Sequence, residues 1–219
     1  MRFLVALLCL TLSAAAAAAS PLGSIPVWTQ FGQSASFYGA SVSGVGDVNG
    51  DGYDDVAVGA NFYDHGQTDE GGAWLYLGSP AGPDTAADWH VEGNQNGAQL
   101  GFAVAGAGDV NHDGFADLLI GSPGVNRAQL YLGSAAGPAL SASWVSIACC
   151  SYGNAVAGAG DVNGDGFDDV IIGGVNGGTA VEGIAQVFHG SATGLSTTPA
   201  AILEGNQDLA LELDPAESL

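Results

Sequence analysis

Asp47, Asn49, Asp51 and Asp55 occupy positions 1, 3, 5 and 9 of one short stretch, with Gly52 and Tyr53 between the last two. The same spacing returns at Asp109, Asn111, Asp113 and Asp117 around Phe115, and at Asp161, Asn163, Asp165 and Asp169 around Phe167. Oxygen-bearing side chains on alternate residues let a tight loop wrap one hard cation. The backbone carbonyl of Tyr53, Phe115 or Phe167 would add a further oxygen, which leaves that side chain free to be aromatic. Ca²⁺ accepts six to eight oxygens in flexible geometry, whereas Mg²⁺ demands an octahedron and keeps its waters. The expected cofactor is therefore Ca²⁺, about three ions per chain with one in each loop. The ion-free alternative is three Asp/Asn/Gly turns, and threefold recurrence of one oxygen pattern argues against it.

The loop is not an EF-hand. That motif closes with a bidentate Glu at position 12, where this chain has Val58, Ile120 and Ile172. Here the acid at position 9 runs straight into a β-branched or aliphatic strand. Zinc is disfavoured, because His65, His90, His112 and His189 show no ligand spacing and zinc prefers nitrogen and sulfur.

The acidic stretches belong to a longer repeat. GVGDVNGDGYDDVAVGA (44–60), GAGDVNHDGFADLLIGS (106–122) and GAGDVNGDGFDDVIIGG (158–174) align directly. Upstream of them lie FYGASV (37–42), LGFAV (100–104) and YGNAV (152–156). Downstream lie WLYLGSPAG (74–82), QLYLGSAAG (129–137) and QVFHGSATG (186–194). A further apolar stretch follows at Trp89, Trp144 and Ala201, and Trp28 holds the same place ahead of the first unit. Each unit thus offers four short apolar runs, in the first unit roughly 40–46, 56–60, 73–77 and 87–91. Four such strands make one small antiparallel sheet that cannot cover its own faces, so neighbours must stack. Radial stacking gives propeller blades. The fold class is all-β: a β-propeller-like array of four-stranded antiparallel blades, with three full repeats, partial flanking strands and an incomplete ring.

Composition narrows the function. The chain has 219 residues, 23 acids, two arginines (Arg2 and Arg127), no lysine and a net charge of -21. Nucleic-acid binding needs basic side chains to neutralise phosphates, and docking on anionic lipid needs them too. Both are excluded. Eleven of the 23 acids fall within 47–55, 109–117 and 161–169, where they repel one another unless a cation sits among them.

The N-terminus reads as a signal peptide over 1–19: Arg2, an apolar run from Phe3 to Leu12, then small residues with a cut near Ala19. An uncleaved anchor is the alternative. No later stretch could span a membrane. The expected location is secreted, on the cell surface or in the periplasm. Export leaves Cys149 and Cys150, adjacent in sequence, which form no disulfide framework. Free thiols or an intermolecular bridge are as reasonable as a bond between neighbours.

At the Gly-Asp-Val-Asn-Gly-Asp-Gly-Tyr run of 46–53 and its two copies, the chain resembles the FG-GAP repeats of integrin α-subunit propellers and their bacterial relatives. The "FG" step stands as Tyr38-Gly39, Leu100-Gly101 and Tyr152-Gly153; the "GAP" step as Gly59-Ala60-Asn61, Gly121-Ser122-Pro123 and Gly173-Gly174-Val175. The resemblance covers roughly 28–205. It implies four-stranded blades with a structural Ca²⁺ in the turn between the first two strands. The organisation expected is a leading strand at 20–36, repeats at 37–99, 100–151 and 152–205, and a truncated fourth repeat or tail at 206–219. Family propellers are seven-bladed, so either self-association or further blades would complete the ring.

The function expected is an exported, calcium-binding adhesion or binding module with an extracellular protein or glycan ligand. The long loop Asn61–Gly72 is its best contact, unless it is only a solvated linker. An enzyme is not expected. Nearly every repeated acid is assigned to a cation loop, and G-x-S-x-G is absent. The alternative is a non-catalytic repeat part, or fragment, of a larger extracellular polysaccharide-active enzyme.

Overall fold

The computed structural model describes residues 28–177 and 182–204; the expected signal peptide (1–19) and tail (206–219) lie outside them. The described residues form twelve strands in three four-stranded antiparallel sheets. The first sheet is β1 (Ser41–Gly46), β2 (Asp55–Ala60), β3 (Gly72–Tyr76) and β4 (Trp89–Glu92). The second is β5 (Ala103–Gly108), β6 (Asp117–Ser122), β7 (Arg127–Tyr131) and β8 (Trp144–Ile147). The third is β9 (Ala155–Gly160), β10 (Asp169–Gly177), β11 (Glu182–Phe188) and β12 (Ala201–Glu204). Each sheet is a simple meander, and β1, β5 and β9 lie side by side. These are propeller-like blades in an array that does not close.

Neither face of a blade can be left to water, and two apolar cores sit between the blades. One joins Val45, Val48, Leu75, Trp89 and Val91 of the first blade to Val104, Leu118, Ile120 and Tyr131 of the second. The other joins Ala107, Val110, Leu119 and Leu130 to Tyr152, Val170, Ile172 and Phe188. Strand alternation makes this two-sided burial work. Leu118 and Ile120 face the first blade while Leu119 faces the third, so β6 is buried along its whole length.

A tryptophan latches each seam. The ring of Trp89 stands edge-on to Tyr131 at 5.1 Å, and its indole N–H donates to Ala139 O at 3.2 Å. Trp144 does the same to Phe188 (4.9 Å) and Ser196 O (3.0 Å). Trp28 repeats the contact on the first blade, against Tyr76 at 5.0 Å and Asp84 O at 2.9 Å.

The "FG" and "GAP" glycines set the spacing between blades. Within a blade, Gly39 N donates to Gly59 O, Gly101 N to Gly121 O and Gly153 N to Gly173 O. Between blades, a Cβ on Gly59 would overlap the carbonyl oxygen of Gly101, and one on Gly121 that of Gly153. Glycine is required there by close backbone approach, not by dihedral angle. Gly121→Ala is expected to cost about 1–3 kcal/mol, as overpacking does, measured by equilibrium chemical denaturation; an unchanged midpoint would contradict this reading of the seam.

Candidate metal centre

Each acidic loop leaves its blade through a bulge. The register of β1 on β2 slips between Gly44 and Gly46, and that of β5 on β6 between Gly106 and Gly108. The third blade slips at the same place, opposite Asp169 and Val170. Gly46, Gly108 and Gly160 then take φ of 79°, 79° and 67°, the left-handed region that glycine enters without penalty. The bulge turns the chain out of the sheet and delivers Asp47, Asp109 or Asp161 at the loop entrance.

The loop curls around that first aspartate. Asp47 Oδ1 accepts from Gly50 N (2.7 Å) and Asp51 N (3.1 Å), and Oδ2 from Gly52 N (2.7 Å). Asn49 Oδ1 accepts from Asp51 N, and Asn49 Nδ2 donates to Asp51 Oδ2. Asp51 Oδ1 takes the amide of Tyr53. The third loop repeats all of this around Asp161, Asn163, Asp165 and Phe167. The second does so around Asp109, Asn111, Asp113 and Phe115, with amides from Asp113 and Gly114 on Asp109. There His112 replaces glycine at φ 58°, and its ring lies 6.1 Å from Phe167 of the next loop.

The acid at position 9 behaves differently. Asp55, Asp117 and Asp169 have no exposed surface. Asp55 Oδ2 accepts from Val48 N at 2.9 Å and Oδ1 from Gly78 N at 2.7 Å. Asp117 takes Val110 N (2.9 Å) and Gly133 N (2.8 Å); Asp169 takes Val162 N (2.9 Å) and Gly190 N (2.8 Å). One buried carboxylate thus ties the acidic loop to the turn after the third strand of the same blade. These contacts span up to 23 residues of chain, and nothing local in the sequence marks them.

The electrostatics divide along the same line. At Asp47, partial burial is outweighed by the amides of Gly52, Gly50, Asp51 and Asn49, which hold the carboxyl below its usual range. Asp161 is held down in the same way, chiefly by Gly166 N. Burial raises Asp55, and the neighbouring charges of Asp51 and Asp47 add to it against the amides of Gly78 and Val48. Asp117 is pushed up to about 7, first by burial, with Asp113 and Asp109 adding repulsion.

The donors suit a hard cation. Each loop offers three carboxylates, an amide oxygen and a backbone carbonyl, and a carboxylate oxygen that accepts one N–H keeps a second lone pair. Like charges close enough to raise Asp55 and Asp117 are what a cation would neutralise. Among the described residues, no three His, Cys, Asp or Glu side chains form a ready-made metal cluster. Asp47, Asn49 and Asp51 line one exposed loop, and Asp55 lies beneath it.

The loops are also chained across the seams. Ala116 N donates to Asp47 O and Ser134 N to Val48 O; Asp168 N donates to Asp109 O and Ser191 N to Val110 O. Asp168 Oδ2 accepts from Asp109 N at 2.8 Å.

Comparison with known proteins agrees with this architecture. Residues 38–76 match the FG-GAP repeat family, and residues 109–172 match the FG-GAP-like repeat family. The chain belongs to the FG-GAP repeat family. This FG-GAP chain is 31% identical to integrin alpha-V of Gallus gallus over 183 residues, 78% of this chain and 17% of the relative. It is 35% identical to phosphatidylinositol-glycan-specific phospholipase D of Bos taurus over 169 residues, 67% of this chain and 20% of the relative. It is 32% identical to integrin alpha-IIb of Mus musculus over 157 residues, 64% of this chain and 15% of that protein. The chain spans a fifth or less of the length of these curated relatives.

Two further features were hidden in the FG-GAP sequence. The loop Asn61–Gly72 is pinned by Glu70, which is fully buried. Its Oε1 accepts from His65 N at 2.7 Å and its Oε2 from Asn94 N at 3.0 Å. His65 Nδ1 and His90 Nε2 both lie 2.9 Å from Glu92 Oε1. Cys149 and Cys150 are bonded to each other, which decides between the alternatives left open by their adjacency. Among the described residues no helix is long and apolar enough to cross a membrane.

The raised acids fix a pH dependence for the cation-free protein. A carboxyl raised in the folded state binds its proton more tightly there than in the unfolded chain. Its effect is that stability rises as pH falls through the folded value toward 3.8. Asp47 and Asp161, held low, act oppositely: their contribution is lost only as pH falls below 3.8 toward their folded values. In cation-stripped buffer the Tm is expected to rise from pH 8 to about pH 5 and then fall below about pH 4. Asp117→Asn lowers the Tm and flattens the upper limb. A Tm that rises steadily from pH 5 to 8 would contradict the assignment.

Proposed function

We propose that this FG-GAP chain is an exported, extracellular binding or adhesion module whose acidic loops each hold a structural Ca²⁺. The observation that carries the calcium reading is the threefold oxygen loop, whose carboxylates repel one another at the seam between blades. Asp47, Asn49, Asp51, the carbonyl of Tyr53 and Asp55 would hold the first ion. Asp109, Asn111, Asp113, the carbonyl of Phe115 and Asp117 would hold the second. Asp161, Asn163, Asp165, the carbonyl of Phe167 and Asp169 would hold the third. The binding role draws on the similarity to integrin α chains. The loop Asn61–Gly72, held in one shape by Glu70, is a preformed surface for an extracellular protein or glycan.

A second reading is favoured by one comparison. Similarity to a phospholipase D is what a repeat part of a larger extracellular enzyme would also show. An intact mass from the native source that exceeds 21.6 kDa by the size of a catalytic domain would favour it.

Calorimetric titration of the purified chain with Ca²⁺ tests the first reading. About three sites are expected. Asp51→Ala, Asp113→Ala and Asp165→Ala should each remove one site and leave the others. An ion bound only by the folded state at 100 times its Kd adds about 2.7 kcal/mol, so the Tm should rise with Ca²⁺ and rise less in each variant. No heat and no shift would sink the calcium reading.

A further inference from the structure

Three metal-ligating side chains outside the acidic loops meet at the long loop of the first blade. His65 Nδ1 and His90 Nε2 each lie 2.9 Å from the same oxygen, Glu92 Oε1. Alternation along β4 buries Trp89 and Val91 and puts His90 and Glu92, half-buried, together on the other face. The loop Asn61–Gly72 brings His65 to that face, and its buried Glu70 takes the His65 amide at 2.7 Å. Spacing along the sequence hides this cluster, because the pairing of β3 with β4 and the path of the loop create it.

The donor set differs from that of the acidic loops. Two imidazoles and one carboxylate suit a borderline cation such as Zn²⁺, which takes nitrogen and oxygen at about 2.0–2.2 Å. Ligand atoms at that distance from one ion stand roughly 3 Å apart, close to both N···O separations. Stacked aromatics set the rings: His90 on Trp74 at 5.4 Å and 18°, His65 on Tyr63 at 6.1 Å and 25°. The three donors are not a ready-made cage as they stand. His65, with 67% of its side chain exposed, is the member that can swing onto an ion. Cys149 and Cys150 are bonded to each other, so neither offers a competing thiolate.

We infer that His65, His90 and Glu92 form a surface site for one divalent cation of the zinc class, separate from the acidic loops. The ion would tie the long loop to β4 and leave at least one coordination position to water. His90 and Glu92 also line a groove of about 860 Å³ shared with Gln129 and Tyr131 of the second blade, which gives the ion a path from solvent. The competitor is a proton. The hydrogen bond and charge of Glu92 raise the His65 imidazole above its usual value, and imidazole must be neutral to ligate a metal.

Calorimetric titration of the purified chain with Zn²⁺, in buffer holding excess Ca²⁺, tests this. One site that Ca²⁺ does not displace is expected, tightening from about pH 6 to about pH 8. His65→Ala, at an exposed side chain, and His90→Ala should each weaken it by more than about tenfold, with unchanged far-ultraviolet circular dichroism. In the unaltered chain, Zn²⁺ should shift the imidazole NMR signals of His65 and His90 and leave those of His112 and His189 in place. No saturable heat, or Zn²⁺ binding retained in both variants, overturns the inference. A shift at His112 without one at His65 and His90 overturns it in favour of Zn²⁺ in an acidic loop. These readouts report on His65 and His90 whether or not the acidic loops take Ca²⁺.

Discussion

A buried carboxylate with two backbone amides is the constraint on which each blade depends. Asp55, Asp117 and Asp169 are withdrawn from water, and each joins the acidic loop to the turn that follows the third strand. A buried charge is costly unless hydrogen-bonded or neutralised, and here the amides meet only part of that cost: burial and the nearby acids still push Asp117 up to about 7. The proposed Ca²⁺ would supply positive charge that the loop's own backbone does not.

The same loops hold the blades together. The carbonyls of Asp47 and Val48 accept from the second blade, and those of Asp109 and Val110 from the third. The aromatic at position 7 extends the chain: His112 of the second loop meets Phe167 of the third, and the space beside Gly50 is filled by the Phe115 ring. With a tryptophan latch and a pair of closely approaching glycines at each seam, adjacent blades are fixed at several points. A change in one loop is felt across the seam and not only at its own surface.

Much of this was legible in the residues. The period of the repeat gave the blades, and apolar runs placed the first four strands within two residues of β1 to β4. Trp28 was recognisable by its match to Trp89 and Trp144. What escaped was long-range. The sequence marks Asp55 as one more oxygen in a loop, but its tie to Gly78 lies 23 residues away. Glu70 looks like a solvated acid in a polar loop, and its burial depends on amides at His65 and Asn94. Adjacency of Cys149 and Cys150 left their state open, because a local backbone shape decides it; Cys150 and Ser151 take φ of 79° and 52°.

Amide hydrogen exchange at Val48, Gly78, Val110 and Gly133 tests the central role of the buried clamp most directly. These four amides lie outside the strands, yet each donates to a fully buried carboxylate. Protection at all four is expected to be comparable to that of β2 and β6 when Ca²⁺ is present, with a joint loss of protection when it is removed. Rapid exchange at these amides in both conditions, with β2 and β6 still protected, would contradict it.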